Sequence, residues 1–504
     1  MNIPARTRVA PSPTGEMHLG NLRTALYNYA LAQHTLGQFI VRIEDTDQER
    51  FKEGSSDRIL KDLEDYGLLW NEGPIVGGPD MPYTQSLRMS SGKYMEAALK
   101  LISQGNAYYC FCTKQRLEEV SAMQKAKGRP PMYDRHCRTL ETSVIEENLK
   151  SMPYVIRLKI PDNERVEYQD AVVGKVSWNS NTINDEVLIK SNRFPSYHLA
   201  VVVDDHLMKI THVIRGMEWI SSTPKQILLY KYLGYEMPNF VHLSVILAQD
   251  GIGKLSKRNG GEKIFARYYL DQGYLPEATL NYLMLLGWSP QEQKDMLSMS
   301  EFIEEFSLDR LQPQNPRFDF NKIEWFGGMY MRKLTIDELY DKCIEWSENI
   351  KNEALKHSVS ELKSFLEANP IKAKSILALS QDRLRKFVDL FEIAMFFYVG
   401  PNYTLDLIAK TKHSNADAIN ILDDLCNALK TSSADMKWEQ SAWESAIRQM
   451  AMKVEWKAGD LFMLLRIAIV GSPFSPPLIE SMNILGVSEC IKRLEEYKLY
   501  LENV

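Results

Sequence analysis

Cysteine is scarce. Six in 504 residues are too few for a disulfide framework, so a reducing, cytoplasmic setting is expected. Long apolar runs are missing as well: the stretch Leu461 to Val470 is too short to span a bilayer and carries Arg466. Arg6 and Arg8 near the start are not followed by an apolar segment, so neither a signal peptide nor a membrane partner is expected. Positive charge is not in excess either. With 60 Lys and Arg against 66 Asp and Glu the net charge is −6, which excludes a uniformly basic coat and leaves any RNA contact to local patches and shape. What is present, 44% apolar and 25% charged residues, describes an ordinary chain with room for three or more domains.

The richest stretch is Arg8-Val-Ala-Pro-Ser-Pro-Thr-Gly-Glu-Met-His-Leu-Gly-Asn21. Thr7 to Ala10 reads as a short buried strand that Pro11 and Pro13 stop, and Ser12, Thr14 and Gly15 let a ligand approach the backbone. Leu22, Leu26, Tyr29 and Ala30 then fall on one face of a helix, with Asn21 in the N-cap position. Free N–H groups at that helix start, with His18 beside them, suit a phosphate. The next strand, Phe39 to Ile43, delivers Glu44 to the carboxyl edge of the sheet, where ligands of doubly wound α/β folds bind. An anion cradle beside an acidic group fits a substrate with both an amine and carboxylates.

Helical segments with Ile59, Leu63 and Tyr66, then Tyr94 to Ile102, complete a βαβα pattern up to Gly105. A different texture begins at residue 107. Cys110, Cys112 and Cys137 could bring three thiolates to a zinc ion, with Tyr133 or His136 as the fourth ligand; a small buried thiol pair is the alternative. Strand patterns over 151–190 make this insert an α+β module. Parallel-sheet character is expected again at Pro195 to Asp205, a nearly continuous apolar run ending in two carboxylates. A further strand ends at Arg215, which could meet the same ligand as Arg8. Residues 249–261 place Lys254 and Lys257 in a glycine-flanked loop, an arrangement suited to closing on a triphosphate as its charge shifts toward pyrophosphate. Beyond 331 helices dominate, with a heptad-like stripe of Leu377, Leu384, Val388 and Phe391. Lys372, Lys374, Arg383, Arg385 and Lys386 form a candidate basic patch.

His18-Leu-Gly-Asn21 together with Lys254-Leu-Ser-Lys-Arg258 resembles the paired HIGH and KMSKS signatures of class I aminoacyl-tRNA synthetases. Arg8 to Gly15, Arg42-Ile-Glu-Asp-Thr-Asp47, Val202 to Met208 and His212-Val-Ile-Arg-Gly216 are similar to the bacterial glutamyl-tRNA synthetase family, densely to about residue 330 and more thinly beyond. The resemblance implies a Rossmann-type catalytic domain in two halves, 1–106 and 193–262. An acceptor-stem-binding insert (107–192) would separate them, with a helical stem-contact region (263–330) and an α-helical anticodon-binding region (331–504) after them.

By position, it implies glutamate binding by Arg8, Ser12, Glu44, Tyr197 and Arg215, with Val201 as lining where some members carry an amide. His18, Gly20, Asn21, Glu218, Leu247, Lys254 and Lys257 would hold ATP, with His18, Asn21, Lys254 and Lys257 as the catalytic set. Cys110, Cys112, Tyr133 and Cys137 match a zinc pattern of part of the family, although Thr139 stands where other members have histidine. The implied reaction activates L-glutamate with ATP, magnesium accompanying the phosphates, and transfers it to the 3′ end of tRNA(Glu). A monomer is expected. Three alternatives are a nondiscriminating enzyme that also charges tRNA(Gln), a non-catalytic tRNA-binding paralogue, and a shorter nucleotidyltransferase sharing the phosphate loop; the intact signatures and the chain length speak against the last two.

Overall fold

The computed structural model describes residues 4–47, 49–408, 410, 413–431 and 440–504. They divide into two compact units, one running to Tyr268 and including Thr279–Phe320, the other made of Tyr269–Ala278 and Asn321–Val504.

The first unit opens with β1 (Arg6–Val9), α1 (Leu19–His34), β2 (Gln38–Val41) and α2 (Ser55–Asp65), followed by the short turn of helix α3 (Gln85–Arg88) and α4 (Lys93–Ser103). The inserted stretch contributes β3 (Ala107–Cys110), α5 (Lys114–Ala126), α6 (Thr142–Ser151), β4 (Val155–Leu158), β5 (Arg165–Asp170), β6 (Gly174–Asn179) and β7 (Val187–Ile189). The chain returns through α7 (Tyr197–Leu207), β8 (His212–Gly216), α8 (Thr223–Leu233) and β9 (Asn239–Leu243).

β1 and β2 pair in parallel, with Arg8 opposite Ile40, and β8 and β9 do the same. β1 lies beside the start of β8: Thr211 N–H donates to the Arg6 carbonyl at 3.0 Å. Asn28 of α1 stitches this junction by donating to the Ile214 carbonyl at 3.2 Å while its own carbonyl accepts from Thr7. The strand expected through Ile43 stops at Val41, and only an isolated bridge from Ile43 to Thr84 prolongs it. The insert is less separate than its texture suggests. β3, β4 and β7 form a sheet of their own, but the antiparallel hairpin β5–β6 joins β9 through Asp170 opposite Phe240.

The apolar run at 195–205 is not a strand. Residues 197–207 form α7, whose Leu199, Ala200, Val201, Val202 and Val203 are all buried in one core with α4 and α8. A helix covered on every side has no polar face to reveal its 3.6-residue period, so it reads like a buried strand. Its two carboxylates point into a charged network. Asp205 accepts from Arg8 Nε at 3.2 Å and Arg42 Nη1 at 2.8 Å, and Asp204 accepts from Arg88, Gln85 and Tyr94 at 2.8–2.9 Å. Every charge in this cluster is buried and each has an opposite partner, the condition under which interior ions are tolerated.

The second unit is helical throughout its described residues. Helix Ile336–Asn349 starts at a Thr335/Glu338 capping box, and helix Asn415–Thr431 packs along Val487–Glu502, where Lys498 meets Asp423 at 2.7 Å. The expected heptad stripe is broken. Leu377 lies in helix Pro370–Ser380, Leu384 follows a 3₁₀ turn, and Phe391 belongs to Asp389–Ala394. In the candidate basic patch Lys374 is paired with Asp337 at 2.7 Å, Arg385 and Lys386 share Glu324, and Arg383 donates to the Ser475 carbonyl.

Candidate active site

One cavity of about 950 Å³ gathers the start of α1, the ends of β1 and β8, Glu44 and the lysine loop. Arg8, Ser12, His18, Gly20, Asn21, Glu44, Tyr197, Arg215, Glu218, Lys254 and Lys257 all line it. Two expected residues do not. Val201 is 2% exposed in the α4–α7–α8 core, because only the first turn of α7, with Tyr197, reaches the cavity. Leu247 pairs through its backbone with Lys254 and Arg317 at the base of the lysine loop.

The N-cap of α1 is His18, not Asn21: the His18 Nδ1 accepts from Gly20 N–H at 3.1 Å, and Asn21 sits exposed in the first turn. Histidine competes here with the usual capping residues because its ring nitrogen reaches the same orphan N–H. Burial, then the charge of Lys254, lowers the His18 pKa to about 4, so at neutral pH the ring is uncharged with its proton on Nε2. It therefore offers a donor without adding a cation.

The two arginines are held differently. Arg8 lines the cavity from β1 and is anchored through Nε to Asp205 alone among the described residues. Arg215, at the end of β8, spends Nε on His242 (3.1 Å) and Nη2 on Thr223 and Gln226 (2.8 Å each), while Nη1 reaches the Tyr197 hydroxyl at 3.4 Å. Tyr197 leans on Trp219, ring centroids 4.5 Å apart. Glu44 accepts from Arg42 Nη2 at 2.9 Å; burial raises its pKa against the opposing pull of Arg42 and Arg8, so this carboxylate gains from a further cation.

At the other end of the cavity Lys254 rests on Glu218 at 3.0 Å and Lys257 on Glu262 at 2.8 Å, all four side chains about half exposed or more. Leu255 N–H donates to the Ile246 carbonyl, which fixes the base of the loop. Sequence reasoning missed Trp219, Phe265, Arg50, Lys52 and Arg58, which also line the cavity. The segment carrying Lys52 is tied to the loop at 11–15 by Lys52 N–H to the Pro13 carbonyl at 2.9 Å. Its three cations within nine residues of sequence after Asp47 were the available signal.

In the insert, Cys110, Cys112 and Cys137 place their sulfurs within 4.8 Å of one another, and the Tyr133 hydroxyl lies 3.3 and 3.4 Å from Cys110 and Cys112. His136 is exposed and outside this group. A hydrogen bond from Cys137, opposed by burial and helped by Tyr133, brings the Cys110 thiol down to about 4. Three sulfurs this close are the soft donors that zinc sites use, which hold sulfur at about 2.3 Å from the metal. Among the described residues this is the only His/Cys/Asp/Glu grouping with such geometry.

Residues 4–325 match the family described as tRNA synthetases class I (E and Q), catalytic domain, and residues 338–498 match an anticodon binding domain. The chain belongs to this family of class I tRNA synthetases. Its relatives include the glutamate–tRNA ligases of Gloeobacter violaceus, 39% identical over 97% of this chain and 94% of that protein, and of Clostridium acetobutylicum, 39% identical over 97% of each. A crystal structure of a glutamate tRNA ligase from Elizabethkingia meningosepticum, in complex with its amino acid, is 32% identical, covers 99% of this chain and all of that one, and superposes with a TM-score of 0.84.

Proposed function

We propose that the chain is an ATP-dependent glutamate–tRNA ligase, with this cavity as its active site. The observation that carries the reading is one cavity holding two anchored arginines and a buried carboxylate beside a neutral histidine and two lysines. Glu44 receives the ammonium of glutamate. Arg8, using only Nε internally, offers its two terminal nitrogens to a carboxylate as a bidentate fork. Arg215 has Nη1 left, and it acts with the Tyr197 hydroxyl; Ser12 closes the amino acid side.

The glutamate α-carboxylate attacks the α-phosphorus of ATP and pyrophosphate leaves. The terminal adenosine hydroxyl of tRNA(Glu) then attacks the adenylate carbonyl and releases AMP. No covalent enzyme intermediate is needed, and the protein's contribution is orientation and charge stabilisation. His18, Gly20 and Asn21 cradle the phosphates, Glu218 borders the nucleoside, and Lys254 and Lys257 follow the charge onto pyrophosphate. Magnesium would accompany the phosphates and be held by their oxygens. Zinc would be held by Cys110, Cys112, Tyr133 and Cys137, cross-linking the end of β3 to the 133–137 turn. The chain is read as a cytoplasmic monomer in which residues 107–192 receive the acceptor stem.

The test is charging of purified tRNA(Glu) and tRNA(Gln), separately, with labelled glutamate and ATP. Charging of tRNA(Glu) alone is expected; charging of neither overturns the reading of both signature motifs. Metal analysis of the purified protein should give about one zinc per chain. Finding none would leave the three thiols as core residues.

A further inference from the structure

The charges that hold Arg215 do not end at Arg215. Its Nε donates to Nε2 of His242, a ring with 0% exposure that cannot touch a ligand in the cavity. Nδ1 of the same ring lies 2.6 Å from Oδ2 of Asp170, itself 1% exposed. The other oxygen of Asp170 accepts from the backbone N–H groups of Val172 and Val173 at 2.9 and 3.1 Å, which fixes the carboxylate in the turn between β5 and β6. We propose that Asp170 and His242 are positioning residues that set the orientation of Arg215, so that glutamate affinity is governed from the β5–β6 hairpin. This rests on the reading of the cavity as a glutamate site.

Proton placement sets this orientation. Asp170 is an ionised acceptor: burial opposes its charge, but His242 and two backbone donors keep its pKa below the usual carboxylate range. The nitrogen facing it must therefore carry a proton. Burial, only partly offset by Asp170, lowers the pKa of His242, so the ring carries one proton and that proton is on Nδ1. Nε2 is left with a lone pair, directed at the Nε–H of Arg215, with Thr223 Oγ1 3.2 Å away. In the opposite tautomer two N–H groups would face each other and Arg215 would lose its innermost anchor.

Thr223 and Gln226 hold only Nη2 and so permit the guanidinium to pivot. The bond at Nε stops that pivot and keeps Nη1 beside Tyr197. Neither Asp170 nor His242 lines the cavity, so their influence on substrate must pass through Arg215. Asp170 comes from the inserted stretch, whereas Arg215 belongs to the returning half of the sheet. A displacement of the hairpin would be felt at the amino acid.

Asp170→Asn preserves volume but lets a carboxamide N–H face Nδ1, which drives the ring to the opposite tautomer. In pyrophosphate exchange with tRNA present, KM for glutamate should rise by about tenfold, the loss of one charge-assisted hydrogen bond, with KM for ATP within about twofold. Adding His242→Gln supplies a side chain that can turn its oxygen toward Arg215, and the glutamate KM should recover most of that loss. Unchanged glutamate KM in a folded Asp170→Asn protein overturns the proposal, as do equal increases for glutamate and ATP or a double variant no better than the single one. If Asp170→Asn does not fold, Asp170→Glu, which keeps the charge but displaces it, carries the same comparison. A wild-type chain inactive with glutamate, ATP and tRNA would instead sink the reading of the cavity itself.

Discussion

Replacing Lys257 with Ala should slow glutamyl-adenylate formation by about 10²- to 10³-fold while changing glutamate affinity by less than about twofold. Lys257 opens a single turn of helix at the end of the lysine loop, after a Ser256/Asn259 capping box, and its amine is mostly exposed beside Glu262. It touches none of the groups that hold Arg8, Glu44 or Arg215. Its stabilising effect must therefore appear when negative charge builds on the leaving pyrophosphate. Single-turnover formation of the adenylate, set beside a glutamate dissociation constant measured directly, separates the two effects. Equal losses in both would assign Lys257 to ground-state binding.

Asp205→Ala should cost about 3–5 kcal/mol of stability, the penalty for leaving a buried charge without its partner, and should weaken glutamate binding as well. Two arginines depend on this carboxylate. Arg42 is wholly buried and keeps Glu44 as a partner, but Arg8 loses the contact that orients its fork toward the cavity. Urea unfolding measures the first effect and calorimetric titration with glutamate the second. Asp205 also gives the wild type an acid limit. Burial alone would raise its pKa, but Arg8 and Arg42 more than compensate and hold it below the ordinary carboxylate value. A depressed folded pKa contributes stability that is complete above the unfolded value of about 3.9 and lost as pH falls through the folded one, so that loss should begin only below about pH 4. A wild-type protein whose stability is flat from pH 5 to pH 2 would contradict this assignment.

The parts of the site that lie in loops were the most legible in the sequence, because their chemistry is local. Pro11, Pro13 and Gly15 mark a break after a strand, and paired lysines between glycines mark a phosphate loop; the structure brings both to one cavity. Intrinsic preference favours asparagine over histidine and so points to Asn21 as the helix cap, while the actual geometry gives the Gly20 N–H to His18. α7 was unreadable for a different reason. Its neighbours cover all its faces, and that information belongs to other elements of the chain. The same holds for Val201: four residues after Tyr197 it shares that face of the helix, but it lies one turn further along, past the end that reaches the cavity. The partners of Arg215 were equally hidden, since His242 and Asp170 are 27 and 72 residues away from the atoms they bond.

The two lysines of the loop never face the cavity as bare charges, because Glu218 and Glu262 already neutralise them. Arrival of a triphosphate is thus an exchange of one anion for another, and surface pairs of this kind are weak. The swap yields little while the phosphate charge matches the carboxylate it displaces, and more once the departing pyrophosphate carries extra charge that no carboxylate can equal. Counter-ions that look like competitors of the nucleotide therefore act as a discount on its resting grip, leaving the lysines most of their advantage for the moment of bond cleavage.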